Sequence, residues 1–262
     1  LDPRAAAQAL EQGRVDLVAR PEGTAGLAQA RTVVALAAVN GRRLGAGAPA
    51  VRRVLAALDR GDLVRRFVRA QAEPLATLLP APLVDGPTPA AAPAAPAPAP
   101  AQEGVPARAV LVLPSWLADA RAVADRLQVR LFDAGVKVAL EPLDARALPA
   151  RLAAGDYDVA LLVVPLLSAE PALAAGQLAG ALGGARAARR AEQALAEVAT
   201  GAGGAALEAV RAELDLWPLY AAGGRLRAAP GLGGLAERRD SAVDPGDLWR
   251  APPPGPPPAG PP

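Results

Sequence analysis

The sequence predicts a mixed α/β fold, and two observations support that class. Between residues 109 and 164, short apolar runs alternate with segments whose apolar residues recur at helical spacing. In addition, the spacing Leu-x-x-Gly-x-x-Asp-apolar occurs twice, in residues 9–18 and 151–162. In each copy we expect a helix end, a glycine in the left-handed conformation and a strand entered through an aspartate. Two regions built on one α/β plan would produce this repetition.

Two tracts rich in Pro and Ala divide the chain of 262 residues. Such tracts hold neither a helix nor a sheet ladder and are typical of extended spacers. We therefore expect a structured segment at 1–86, a linker at 87–104, a second structured segment at 105–250 and a disordered tail at 251–262. The length suffices for one large domain or two small ones.

The second structured segment carries the clearest pattern. We predict that its elements alternate as strand 109–113, helix 116–135, strand 136–140, a shorter helix within 144–154 that is interrupted or started late by Pro149, and strand 159–164. The last strand is apolar throughout, which is typical of a strand buried on both faces. In a β-α-β-α-β unit of this kind ligands bind beyond the carboxyl ends of the strands, so we expect the loop 165–173 at the ligand edge.

Composition excludes several classes of function. The chain has no His, Cys or Met, which excludes a Ser-His-Asp triad and a Cys/His zinc site. Its formal charge is only +2, and its arginines alternate with Asp and Glu, as in "DARAVADRLQVR". That pattern is typical of a solvated helix face and does not favour nucleic-acid binding. No apolar run reaches the roughly 18 residues that span a bilayer.

Several segments occur in the order found in one known family. They are "ALEQGRVDLV", "VVALAAVN" ending at Asn40, "APAVRRVLAALDRGDLVRRFV" (48–68), "DRLQVRLFDAGVKVALEPLDARALPARLAAGDYDVALL" (125–162) and "LDLWPLYAAGGRLRAAPGLGGL". Together they resemble the solute-binding proteins of bacterial ABC importers for oligopeptides, dipeptides and nickel, solute-binding family 5. By this resemblance residues 48–68 are one long helix, and the Pro-Leu-Tyr at 218–220 precedes a strand.

The resemblance implies a type II periplasmic-binding fold, of which this chain is the C-terminal portion. It also implies a function: binding of a peptide-like or small organic solute by lobe closure, and delivery to an ABC permease in the membrane. We expect a monomer without cofactor or metal, in a periplasmic or extracytoplasmic location. Lipid anchoring would depend on a segment missing from this chain.

One departure from the family bears on the ligand. Members that bind a peptide amino terminus carry an Asp in the loop after the strand 159–164. Here Leu167 lies near that position, and Glu170-Pro171 stands where Asp-Pro would fall. A buried ammonium without a charge partner costs several kcal/mol, so free peptides are a less secure ligand than the family implies.

Four residues are candidates for ligand contact: Ser168, Glu170, Asn40 and Trp116. Ser168 and Glu170 lie in the loop beyond the third strand, where a plain surface loop is the alternative. Asn40 ends a strand, where an amide more often turns the chain. Trp116 starts a helix and either stacks on a ligand or packs on the sheet.

An enzyme is not expected. Asp156 and Asp158 alternate onto one side of a strand and are the only candidates for paired acid/base carboxylates. The alternative, which we favour, places Asp156 in a solvated turn and Asp158 at the strand entrance. A further alternative is a regulatory, sensory or degenerate domain that uses the same fold without transport.

Overall fold

The computed structural model describes residues 3–19, 27–28, 33–68, 71–80, 108–166, 170–183, 185–196, 203–223, 225–234 and 248–250. The Pro/Ala tract and the Pro-rich tail lie outside these ranges. Among the described helices, none is long and apolar enough to span a bilayer.

The described helices are α1 (Pro3–Glu11), α2 (Gly41–Leu44), α3 (Ala48–Ala56), α4 (Arg60–Phe67), α5 (Ala118–Asp133), α6 (Ala147–Ala154), α7 (Pro171–Leu182), α8 (Ala185–Ala196) and α9 (Gly203–Glu213), with a 3-10 turn at Gly45–Gly47. The strands are β1 (Leu17–Ala19), β2 (Leu27–Ala28), β3 (Val33–Val39), β4 (Gln71–Pro74), β5 (Ala109–Pro114), β6 (Val138–Leu143), β7 (Val159–Pro165), β8 (Leu216–Gly223), β9 (Arg225–Ala228), β10 (Leu232–Gly233) and β11 (Trp249–Arg250).

The chain divides into two compact units, of which the smaller comprises residues 1–30 and 224–262. In this unit β9 pairs antiparallel with both β1 and β2, and β10 pairs with β11. A small core of Leu10, Val18 and Ala229 lies beside the first of these sheets. Two separate ends of the chain thus form one sheet.

The larger unit, residues 31–223, is built on a six-stranded mixed sheet in the order β4-β8-β3-β7-β5-β6. Strand β3 is antiparallel to both of its neighbours, β7 and β8. Strands β5, β6 and β7 are parallel to one another, as the predicted β-α-β-α-β unit requires. The expected α/β class is therefore confirmed.

Both faces of this sheet are covered by helices. Along β3, Val34, Leu36 and Ala38 belong to the core that α6, α7, α8 and α9 cover. The alternate residues Ala35, Ala37 and Val39 belong to the core that α3, α4 and α5 cover. Because side chains alternate between the faces of a strand, a continuous apolar run indicates burial on both sides, which confirms the prediction for the similar run in β7.

The bounds predicted for the strand at 136–140 and the helix at 116–135 were wrong by a few residues, whereas the helix within 144–154 does start late. Strand β6 begins at Val138, because Gly135 (φ +84) and the N–H of Val136, which donates to the Leu131 carbonyl at 2.8 Å, still belong to the end of α5. Helix α6 begins at Ala147, because the Asp144 carboxylate accepts the Ala147 N–H at 2.7 Å and holds a turn before the helix.

The expected long helix over 48–68 is two helices, α3 and α4. Asp59 breaks it, since its side chain accepts the Asp62 N–H at 2.8 Å and caps a new helix start. The Pro-Leu-Tyr at 218–220 does not precede a strand but lies within β8, where Pro218 sits at a register shift relative to β3. A strand tolerates proline at such an irregularity.

The compact units do not follow the segments expected from the sequence. Strands β3 and β4 come from 1–86, yet they share a sheet with strands from 105–250. The repeated Leu-Gly-Asp spacing is, by contrast, a real geometric repeat. Gly13 and Gly155 have φ values of +66° and +68°, and each donates its N–H to the backbone carbonyl of the leucine three residues earlier.

Candidate functional site

The edge of the larger sheet where β5, β6 and β7 end is the ligand edge that the sequence predicts. Because these strands are parallel, their carboxyl ends meet there. Trp116 follows β5, and Glu170 follows β7. The structure thus brings two of the four candidate residues to one edge.

Trp116 lies in a turn between β5 and α5. The preceding residue, Ser115, donates its N–H to the Leu143 carbonyl of β6 at 2.8 Å, which fixes the turn to the sheet edge. The residue is 52% exposed. It is therefore not packed into the sheet, and its role in ligand contact stays a prediction.

Glu170 is the N-cap of α7. Its carboxylate accepts the N–H groups of Ala172 at 3.1 Å and Leu173 at 2.8 Å, which otherwise lack partners at a helix start. The side chain thus has a structural task at the predicted ligand edge. Ser168 and Leu167 lie outside the described residues.

Replacing Glu170 by alanine is expected to lower the free energy of unfolding by about 1 kcal/mol, because the start of α7 loses its cap. Serine at this position restores a side-chain oxygen in the capping geometry, so Glu170→Ser is expected to recover most of that loss. Urea unfolding of both variants measures the difference. Equal stability of wild type and Glu170→Ala would contradict the capping role.

Asn40 lies at the opposite edge of the sheet. Strand β3 is antiparallel to β7, with Val39 opposite Val159 and Val33 opposite Pro165, so Asn40 is separated from the carboxyl edge by the length of the strand, roughly 20 Å. Its side-chain amide donates to the Gly155 carbonyl at 2.8 Å. The structure therefore does not bring Asn40 together with Trp116 and Glu170.

Asp156 and Asp158 lie at this amino edge and share one arginine. Arg43 donates through Nε to Asp158 at 3.2 Å and through a second nitrogen to Asp156. The other Asp158 oxygen accepts the Val110 N–H of β5 at 2.8 Å, and Arg151 pairs with Asp156 at 2.7 Å. Two carboxylates neutralised in this way tie β7 to its neighbours, which favours the structural interpretation over acid/base chemistry.

A cavity of about 630 Å³ lies at the same amino edge, between the end of β3, the α6–β7 turn, the start of α8 and the α9–β8 turn. Asn40 and Tyr157 contribute to its lining. So do five arginines: Arg42, Arg52, Arg186, Arg190 and Arg211. The two acidic residues in the lining are Glu213 and Asp215.

Asp215 organises one wall of this cavity. It has φ +54°, and its carboxylate accepts two bonds from Arg52, at 2.6 and 2.9 Å, and one from the Trp217 indole at 3.0 Å. These hydrogen bonds raise the pKa of Arg52 above its ordinary value. Arg211 lies 5.6 Å from the centre of the Trp217 ring, so this wall is held by charge and by cation–π contact.

Sequence reasoning missed this cavity. Its arginines are spread from residue 42 to residue 211, and each stands in a local pattern that also fits a solvated helix face. No short motif marks the site, and only the pairing of β3 with β7 and β8 brings these residues together.

Comparisons with known proteins give a match of fold. No protein-family model matches the chain, and no curated protein sequence does. Among solved structures, NikA from Brucella suis in complex with Fe(III)-EDTA is similar at 18% identity with a TM-score of 0.66. The substrate-binding protein CtaP from Listeria monocytogenes has 16% identity and a TM-score of 0.67. The oligopeptide-binding protein AppA from Bacillus subtilis, in complex with a nonapeptide, has 15% and 0.65.

Each of these three matches covers 95% of this chain. The chain in turn spans 60%, 58% and 59% of the lengths of these structures, respectively. CtaP is described as an ABC transporter substrate-binding protein and AppA as an oligopeptide-binding protein. The resemblance found in the sequence is thus confirmed for the fold, and the chain has part of the type II periplasmic-binding fold of the ABC-transporter solute-binding proteins.

Proposed function

We propose that this chain is part of a solute-binding component of an ABC importer, which takes a peptide-like or small organic solute without chemistry. The observation that carries the proposal is the fold match, which extends over 95% of the chain. AppA is described with a nonapeptide and NikA with a metal chelate. A periplasmic or extracytoplasmic location, a membrane permease as partner and a monomeric state follow from the same proposal.

The carboxyl edge of β5 and β7 is the proposed position of the solute. Trp116 offers an aromatic surface there, since its ring is half-exposed at the start of α5. Aromatic side chains with an exposed face are well suited to stack on apolar or planar parts of a ligand. Lobe closure over the solute is part of the proposal, since solute-binding folds close by hinge motion around ligands.

The second candidate is a regulatory, sensory or degenerate domain with this fold. Two observations favour it. Leu167 replaces the carboxylate that the family resemblance implies for amine binding, and the nearby Glu170 carboxylate is already engaged in capping α7. A peptide ammonium would then find no carboxylate at position 167 and would compete with the α7 cap for Glu170.

Thermal unfolding of the purified chain against a panel of di- and oligopeptides tests the proposal. A ligand that binds only the folded state raises the melting temperature as its concentration increases. We expect at least one peptide class to do so. A well-folded chain that no peptide stabilises would favour the regulatory or degenerate domain.

Three variants test the position of the solute. Trp116→Ala is expected to weaken peptide binding by about tenfold, which corresponds to roughly 1.4 kcal/mol for a lost stacking contact. Phe132→Ala is the matched control, because Phe132 is a 60% exposed aromatic near the far end of α5, the helix that follows Trp116. Equal affinities for wild type and Trp116→Ala would place the solute elsewhere. Glu170→Ser, which keeps a cap, separates a ligand role of the carboxylate from its structural task.

A further inference from the structure

The arginine-lined cavity at the amino edge is not explained by the proposed solute site. It lies at the end of the larger sheet opposite to Trp116 and Glu170. Its volume of about 630 Å³ is within the range of small-molecule sites, roughly 300–1,000 Å³. The question is therefore which chemistry its lining would recognise.

Charge is the first indication. Three of the five arginines are neutralised, because Arg52 pairs with Asp215 at 2.6 Å, Arg190 with Glu213 at 2.6 Å and Arg211 with Glu208 at 2.6 Å. For the other two, Arg42 and Arg186, the described part of the chain provides no ion-pair partner. The cavity thus holds an excess of positive charge in a concave surface, where fields are focused.

Tyr157 is the second indication. Its side chain is buried, with 9% of the residue exposed, and it lines the cavity. Within the ranges that the structure describes, no hydrogen-bond partner reaches its hydroxyl. Although the residue is buried, its hydroxyl oxygen still reaches accessible surface, so the oxygen is open to a partner in the cavity. Arg190 and Asp215, which also line the cavity, are close enough to influence its pKa, which burial raises above its ordinary value. The hydroxyl therefore stays protonated near neutral pH and remains able to donate.

From these observations we propose that the cavity is a second binding site, which takes a small molecule carrying two or more oxyanion groups, such as phosphates or carboxylates. Arg42 and Arg186 supply the charge for it, and Tyr157 supplies a neutral donor. Guanidinium groups bind such oxyanions through paired N–H donors in one plane. Arg52, Arg190 and Arg211, held by their acidic partners, form the fixed wall against which the anion is placed.

Isothermal titration of the full chain with pyrophosphate and with citrate tests this site. The variant Arg42→Gln/Arg186→Gln removes two arginines that make no ion pair with the described residues, so it is expected to fold as the wild type does. Its affinity for the probes is expected to fall by about tenfold or more, since charge-assisted hydrogen bonds contribute more than neutral ones. Tyr157→Phe is expected to weaken binding about threefold to tenfold, as a single neutral hydrogen bond does.

The matched control is Arg53→Gln/Arg130→Gln, which removes the same charge from exposed helix positions outside the cavity. It is expected to change the affinity by less than about twofold at constant ionic strength. Equal losses in both double variants would mean non-specific charge attraction and would overturn the proposal. The proposal would also be overturned if neither pyrophosphate nor citrate bound to the wild-type chain at millimolar concentration. Because the peptide assays use the opposite edge, they are expected to be unchanged in Arg42→Gln/Arg186→Gln, so the two proposals fail independently.

Discussion

Replacing Asp158 by alanine is expected to lower the free energy of unfolding by about 3 kcal/mol, as measured by urea denaturation. The carboxylate is 12% exposed and bonds both the Val110 N–H of β5 and Arg43. Its removal leaves a backbone donor within the sheet without its partner. The substitution also leaves Arg43 with only one of its two carboxylate partners, Asp156.

The matched control is the neighbouring carboxylate. Asp156 is 40% exposed and bonds Arg43 and Arg151 at the surface, so Asp156→Ala is expected to cost about 1 kcal/mol or less. Asp158→Asn keeps one acceptor oxygen and is expected to fall between the two. Equal losses for Asp156→Ala and Asp158→Ala would show that the network, and not the sheet contact of Asp158, carries the stability.

Replacing Gly183 by alanine is expected to cost about 3–4 kcal/mol. Gly183 ends α7 with φ +73° and ψ +123°, a conformation that residues with a Cβ rarely adopt. A Cβ at this position would also lie only 3.0 Å from both the backbone nitrogen and the Cβ of Ala153 in α6. Backbone strain and overpacking therefore both contribute to the expected loss of stability in Gly183→Ala.

Gly45 separates these two contributions. It has a similarly strained backbone, φ +52° and ψ −123°, but a Cβ there would meet nothing within 4 Å. Gly45→Ala is thus expected to cost about 2 kcal/mol from strain alone. Thermal unfolding of the two variants gives the difference. If Gly183→Ala is no less stable than Gly45→Ala, the contact of α7 with α6 at this point is looser than the structure has it.

The parts of the fold that were predictable are those with local signals. The apolar face of α5, which includes Val123, Leu127 and Leu131, is fully buried, and its periodicity alone indicated this. The glycine stops at Gly135 and Gly155 were likewise readable, because a positive φ is needed where each helix ends. The predicted helix bounds were wrong where a side chain caps a new helix start, as Asp59 does between α3 and α4.

Pairing between distant strands was not predictable. Nothing near Asn40 in the sequence indicates that β3 enters the sheet antiparallel to β7, yet this direction decides on which edge Asn40 lies. The candidate site therefore mixed residues from two edges. The cavity could not be predicted for the same reason. Its wall depends on contacts between residues that are far apart in the sequence, such as Arg52 and Asp215.

The central position of β3 also bears on how this protein is made. The strand is synthesised early, but both of its neighbours, β7 and β8, come much later in the chain. Pairing across such separations is slow, because a long loop must close before any contact is gained. During translation, the seven uncharged residues of β3, "VVALAAV", therefore stay without strand partners on both edges until β7 and β8 are made. Such segments aggregate readily, so the yield of folded protein is expected to depend on how quickly residues up to Gly223 emerge and cover it.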